Sequence, residues 1–292
     1  MSMTRRDALL AVMAAFIWGA TYPFSAIALQ DTPPIFFTAL RFACAACFVV
    51  VVPRPRIPAG KLILLGLFLG AVLFALTFIA MTQGLSASLA SVLVHTQAFF
   101  TILISMAVFG ERMRRRQLLA LLIAAAGIAV LAIDRGRAGS AVALLLILLA
   151  ALSGGIGNNI MKSLGQTDML RVSVWMSLVP PLPLLGLSLV LEADGSAADL
   201  ISTVTWPTAI ALLWSSVLAT VLVFAIWGRL LVAYSSAAVA PFFLLVPVFG
   251  VALSALVLGE TLSALQISGG LLVFAGLALA LWPARKPPLP VA

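Results

Sequence analysis

Residues 108–127 read VFGERMRRRQLLALLIAAAG, and residues 257–276 read VLGETLSALQISGGLLVFAG. Gly110-Glu111, Gln117 and Gly127 of the first stretch return as Gly259-Glu260, Gln266 and Gly276 of the second, 149 residues further on and at unchanged spacing. Working outward, residues 84–131 align with 233–280 at the same offset without a gap. The alignment pairs Ser86 with Ser235, Phe100 with Phe249, Ser105 with Ser254 and Val108 with Val257. The chain is an internal repeat, and its halves are expected to share one fold.

Of the 292 residues, 63% are hydrophobic and 9% charged, and the mean hydropathy is +1.22, which excludes an ordinary soluble domain and implies a polytopic membrane protein. A helix needs about 20 apolar residues to cross ~30 Å of hydrocarbon. Ten such stretches are legible, at 8–29, 34–52, 62–82, 87–109, 117–133, 141–162, 169–191, 210–227, 237–258 and 265–282. The strands of a membrane barrel alternate polar and apolar residues. These runs are apolar on nearly every face, so the fold class is all-α.

The net charge of +8 would suggest nucleic acid in a soluble protein, but here the basic residues fall in short loops and tails and read as topology signals. With the N-terminus cytoplasmic, the inside segments hold Arg5, Arg6, Arg54, Arg56, Lys61, Arg112, Arg114, Arg115, Arg116, Lys162, Arg171, Arg229, Arg285 and Lys286. The outside loops hold only Arg135 and Arg137, along with six of the nine acids (Asp31, Asp134, Glu192, Asp194, Asp199 and Glu260). Both termini are therefore expected in the cytoplasm. Five helices per half is an odd number, so residues 138–292 should repeat residues 1–137 upside down. Such halves supply paired inner and outer gates, with a substrate site where they meet.

The first apolar stretch follows Arg5-Arg6 as a signal peptide would. At about 22 residues it is too long for an h-region, and it reads as a span. The Pro-rich segment 286–290 reads as a short disordered tail. Cys44 and Cys47 mimic a metal or redox pair, but with one histidine in the chain there is no ligand set for zinc, and they read as packing residues.

Several landmarks together carry a family likeness. Trp18-Gly19 lies in the first span, Arg41 follows a Pro-containing loop, and the small-residue stretch Ala80–Ser91 enters the fourth span. Pro247, Gly259-Glu260, Gln266 and Gly276 complete the pattern in the second half. The set resembles the drug/metabolite transporter superfamily, and within it the ten-helix EamA-type exporters, over nearly the whole chain. The resemblance implies two five-helix repeats and export of small metabolites. Among such exporters, those of aromatic and other neutral amino acids are the nearest likeness. Two positions depart from the pattern: Ala98 stands opposite Pro247, and Ser153-Gly154 stands where an echo of Trp18-Gly19 would fall. The second departure predicts a roomier pocket on the second-half side.

His95 is the single histidine, nine residues into the fourth span. It is also the one side chain at that depth that titrates near neutral pH. Ser88, Ser91 and His95 share one helical stripe and Gln97, Thr101 and Ser105 the opposite one, so the first stripe is expected to face the cavity alone. Interhelical hydrogen bonding is the alternative role for His95. Trp18 and Tyr22, one turn apart, are candidate pocket walls, with Trp175 and Trp214 as weaker ones. Arg41 supplies either a structural contact or a positive field. Asn158 follows the Gly-rich segment 153–157, which serves either motion or close helix approach. Glu111 and Glu260 at helix–loop junctions, Pro180 and Pro181 in the seventh span and Pro247 in the ninth are gating or hinge candidates, the two carboxylates each favouring the N-terminus of the following helix.

No Asp or Glu falls in the middle of a span, which disfavours cationic drugs as substrates. A small neutral or zwitterionic amphipathic metabolite fits the Trp, Tyr, His, Asn and Ser set better. No Walker-type sequence occurs, so ATP does not drive the chain directly, and neither cofactor nor metal is expected. The partners expected are the substrate and the lipid bilayer, with no nucleic acid and with the chain as a monomer or weak homo-oligomer. The competing readings are a membrane receptor or assembly protein without net transport and, remotely, an intramembrane hydrolase using Ser153 and His95. The topology makes a direct prediction. Cysteine placed at Arg114 labels only from the cytoplasm and cysteine at Gly195 only from outside, and the reverse pattern would remove the inverted arrangement.

Overall fold

The computed structural model describes residues 3–110, 113, 115–133, 140–193, 196–234 and 236–281. Glu111, Arg114, Asp134, Asp194 and Gly195 therefore lie outside the described residues, as does the tail beyond 281. Among the described residues there are ten apolar helices: α1 (Arg5–Ala28), α2 (Pro34–Val50), α3 (Ala59–Thr82), α4 (Ala87–Phe109), α5 (Arg115–Ile133), α6 (Ala141–Lys162), α7 (Met169–Leu191), α8 (Trp206–Ala233), α9 (Pro241–Leu258) and α10 (Ala264–Leu281). Nine are long and apolar enough to cross a membrane, and α2 is shorter. The helical segment Ser236–Phe243 leads into α9, and a two-turn helix, Ala197–Ser202, precedes α8.

The boundaries differ most from the sequence expectation at α8, which extends at both ends. Pro207 sits in its first turn, where a missing N–H costs nothing, and Arg229 near its other end pairs with Asp7 of α1, so the charge does not stop the helix.

Packing repeats with the sequence. α1 packs on α9 as α6 packs on α4, α1 packs on α8 as α6 packs on α3, and α2 meets α7, α4 meets α9 and α5 meets α10. Exchanging the two halves leaves this list unchanged, which is a two-fold relation between five-helix repeats. Local backbone features repeat as well. Gly110 and Gly259 end α4 and α9 at φ +67° and +65°, a left-handed cap that glycine adopts without a Cβ clash. π-helical turns interrupt α3 at Gly66–Val72 and α8 at Trp214–Leu222.

The α5–α10 pair is held close by glycines. A Cβ on Gly127 would lie 2.7 Å from the Gly269 carbonyl oxygen, and one on Gly276 would lie 2.7 Å from that of Ala120. Small residues let membrane helices approach and gain dispersion contact where no hydrophobic drive exists. Gly127→Leu should therefore cost about 1–3 kcal/mol by overpacking, read as a lowered melting temperature in detergent. Gly270→Leu, where an added Cβ meets nothing within 4 Å, should leave that temperature unchanged.

Candidate functional site

Between the two halves lies a cavity of about 260 Å³. α1 contributes Trp18, Thr21 and Tyr22, α2 contributes Arg41 and Phe42, and α3 contributes Leu69, Leu73, Phe74, Thr77 and Phe78. From α4 come Val94, His95 and Gln97, and from α6 Asn158 and Met161. α7 adds Met169, Ser173 and Met176, α8 adds Thr220, Phe224 and Trp227, and α9 adds Phe243 and Val246. Met161, Met169 and Trp227 belong to the ends of α6, α7 and α8 that carry Lys162, Arg171 and Arg229, so the cavity runs from the centre of the bundle toward its basic end.

The aromatic wall is positioned by backbone hydrogen bonding. Trp18 donates from Nε1 to the Ala219 carbonyl at 2.9 Å, within the π-helical stretch of α8, and its ring meets Phe224, Trp227 and Phe243 at centroid distances of 5.6, 5.2 and 5.7 Å. The wider turn of a π segment leaves a carbonyl free for such a side chain. His95 hydrogen-bonds through Nδ1 with the Ser91 carbonyl at 2.7 Å and packs on Phe243 at 5.1 Å. Asn158 donates to Thr101 Oγ1 at 3.1 Å and, at the limit of reach, to Gln97 Oε1 at 3.5 Å.

Arg41 is 4% exposed, and its guanidinium lies over the Phe74 ring at 3.8 Å and beside Phe42 at 5.5 Å. Its Nε and Nη1 have no hydrogen-bond partner among the described residues. Faces of aromatic rings attract a cation but do not replace its hydrogen bonds.

Five residues singled out in the sequence thus converge on one space: Trp18, Tyr22, Arg41, His95 and Asn158. Three do not. Ser91 is fully buried against Gly250 of α9 and donates to the Ser88 carbonyl. Trp175 donates to the Val52 carbonyl at 2.8 Å, and Trp214 donates to that of Ile17 at 3.0 Å and stacks on Phe24 at 4.7 Å.

The two stripes of α4 also behave differently from expectation, because His95 and Gln97 both line the cavity. The helix tightens into a 3-10 turn at Val94–Thr96, which rotates the remainder of α4 and brings the second stripe round. The expected extra room beside Ser153-Gly154 is occupied. Gly154 lies against Gln97, Gly155 against Phe100 and Gly157 against Leu69, so the segment's small residues serve close approach. Ser153 donates to the Phe68 carbonyl at 2.7 Å, so Ser153 and His95 each hydrogen-bond to backbone and form no dyad with one another.

Opposite the basic end, the halves are fastened to each other. Glu260 accepts from the Ala87 and Ser88 amides at 2.8 and 3.0 Å and from the Ser88 hydroxyl. It therefore caps α4, in the other repeat, and not the helix that comes after it in sequence. Glu192, which the sequence reading leaves without a role, accepts from the Ile35 and Phe36 amides at 2.8 and 2.9 Å and caps α2 in the same way, with Ser188 donating to it at 2.7 Å. A carboxylate at a helix N-terminus satisfies orphan amides and meets the positive end of the dipole. Thr32 donates to the Thr203 carbonyl at 2.8 Å and adds a third tie. α7 consists of two pieces, Met169–Met176 and Pro181–Leu191, parted before Pro181, with Pro180 against Gly70 of α3. Pro247 is buried in the first turn of Leu245–Leu258, where it breaks no helical bond.

The profile of the EamA-like transporter family matches residues 6–133 and 141–282. A Salmonella typhimurium protein named a probable amino-acid metabolite efflux pump is 37% identical, with 94% of each chain covered. An Escherichia coli protein of the same name is 34% identical over 94% of each chain. An uncharacterized transporter of Bacillus subtilis is 30% identical over 94% of this chain and 91% of its own. A solved crystal structure superposes with a TM-score of 0.61 at 17% identity, covering 92% of this chain and 96% of that one, a likeness of fold alone.

Proposed function

Because the chain belongs to the EamA-like transporter family, we propose that it exports small metabolites of amino-acid type, with aromatic or aliphatic bodies, across the inner membrane by alternating access at the central cavity. The observation that carries this reading is the cavity itself, set where the two repeats meet and lined by aromatic side chains around one buried guanidinium. Its volume of about 260 Å³ suits a metabolite better than a drug-sized molecule, for which sites run to roughly 300–1,000 Å³. The names of the Salmonella and Escherichia relatives support export of amino-acid metabolites.

The basic end faces the cytoplasm by the positive-inside rule, so the cavity takes up its load on the side from which an exporter must draw. The outer gate is closed by the Glu192 and Glu260 caps on α2 and α4. In the opposite state Glu111, the repeat partner of Glu260, takes the corresponding place at the start of the Ser236–Phe243 segment, which lies 149 residues from the start of α4. Trp18 and Tyr22 wall the substrate, Asn158 hydrogen-bonds its polar groups, and His95 contributes a hydrogen bond without carrying the coupling proton. Ser91, Trp175 and Trp214 hold helices in place.

Solute counterflow in proteoliposomes tests this reading. A panel of amino acids with their N-acyl and 2-oxo derivatives, offered outside preloaded vesicles, should include members that drive exchange. Trp18→Ala should lower exchange of phenylalanine-derived members about tenfold and of alanine-derived members less than about twofold, through lost aromatic contact. Equal loss across the panel with intact folding would make Trp18 a packing residue, and no exchange by any member would overturn the transport reading.

A further inference from the structure

We propose that the cavity is built for a monocarboxylate whose amine is masked or absent, such as an N-acyl amino acid or a 2-oxo acid, with Arg41 as the carboxylate receptor. The inference rests on the transport reading and departs from the neutral or zwitterionic class that the sequence suggests, toward monoanions.

Arg41 is almost fully buried, faces the cavity, and keeps Nε and Nη1 without acceptors in the protein. Leaving a guanidinium dry and unpaired costs several kcal/mol, and a carboxylate offsets that cost by giving charge and acceptors together. The described residues do not provide one. Of the six acids among the described residues, Asp7 bonds Arg229 and Tyr234, Asp31 bonds Thr205, and Asp168 bonds Arg171. Asp199 bonds Ser196, and Glu192 and Glu260 are the helix caps.

The same count decides against a free amine. An ammonium brought into this space finds amide and hydroxyl oxygens of Gln97, Asn158 and Thr220 but no carboxylate lining the cavity. A monoanion leaves Arg41 plus ligand neutral, a zwitterion leaves one buried positive charge, and an amine ester or amide leaves two. Beside a guanidinium that is itself 4% exposed, each uncompensated charge is heavily penalised. The guanidinium lies over Phe74, and the aromatic cluster around Trp18 forms another part of the wall, so a head on Arg41 leaves an apolar body against rings.

The test uses the full chain in proteoliposomes loaded with radiolabelled N-acetyl-leucine, with N-acetyl-leucine, 4-methyl-2-oxopentanoate, leucine or leucinamide added outside. The two monoanions should drive exchange, leucine should be weaker by about tenfold or more, and leucinamide should be inactive. Arg41→Gln should lose about tenfold or more of monoanion exchange, and Arg41→Lys should recover part of it because the charge is kept. Binding of N-acetyl-leucine to detergent-solubilised protein, read by quenching of tryptophan fluorescence, should weaken in the same order and keeps the test informative if Arg41→Gln reconstitutes poorly. Leucine exchanging as well as N-acetyl-leucine would overturn this inference while leaving transport standing. Exchange by none of the four would overturn this inference, and silence of leucine-loaded vesicles as well, from well-folded protein, would overturn the transport reading.

Discussion

In hydrocarbon no water is present to satisfy a free N–H or C=O, so a helix can depart from regular hydrogen bonding only where protein or a polar cavity takes up the groups released. In this chain those departures gather around one place. α3 and α8 pass the cavity in π-helical turns, α4 in a 3-10 turn, α9 at the junction after Phe243, and α7 in the gap between Met176 and Pro181. Side chains reach both π-helical stretches: Ser153 donates to the Phe68 carbonyl, and Trp18 donates to that of Ala219. The irregular backbone thereby fixes the wall of the site, and the regular α5–α10 pair, tightened by its glycines, stands apart as a scaffold.

The few carboxylates obey the same constraint on polar groups. A helix N-terminus inside or near the membrane boundary presents unpaired amides, and Glu192 and Glu260 satisfy two such ends while joining the repeats to each other. Because each cap ties a second-half helix end to a first-half helix start, separating the halves at this end requires both sets of bonds to be given up or moved. On the proposed transport cycle, these caps are the closed outer gate.

Fold and repeat were legible because they rest on composition and on a spacing that survives duplication, the Gly-Glu, Gln and Gly set at 149 residues. The convergence of Trp18, Tyr22, Arg41, His95 and Asn158 was legible as well, since rare polar and aromatic residues at mid-span have few reasons to be there. Helix facing was not. Trp214 and Trp227 share one helix, and nothing in an all-apolar sequence says that the second meets Trp18 while the first packs on Phe24. The rewinding of α4 at Val94–Thr96 defeated a stripe argument that assumes regular helix, and the contact of Glu260 with α4 depends on tertiary placement that local sequence does not encode. Nor does sequence reveal that Arg41 Nε and Nη1 lack a partner among the described residues, which depends on where the six described acids go.

On the proposed cycle the two ends of the molecule open in alternation about the cavity. Pulsed electron resonance distances measure this in lipid nanodiscs, with spin labels at exposed Gln83 and Thr261 on the capped end and at exposed Val108 and Val232 toward the basic end. On releasing the caps with Glu192→Ala and Glu260→Ala, the first distance should lengthen while the second shortens. If both distances stay fixed, or both lengthen together, the halves do not alternate and the account fails.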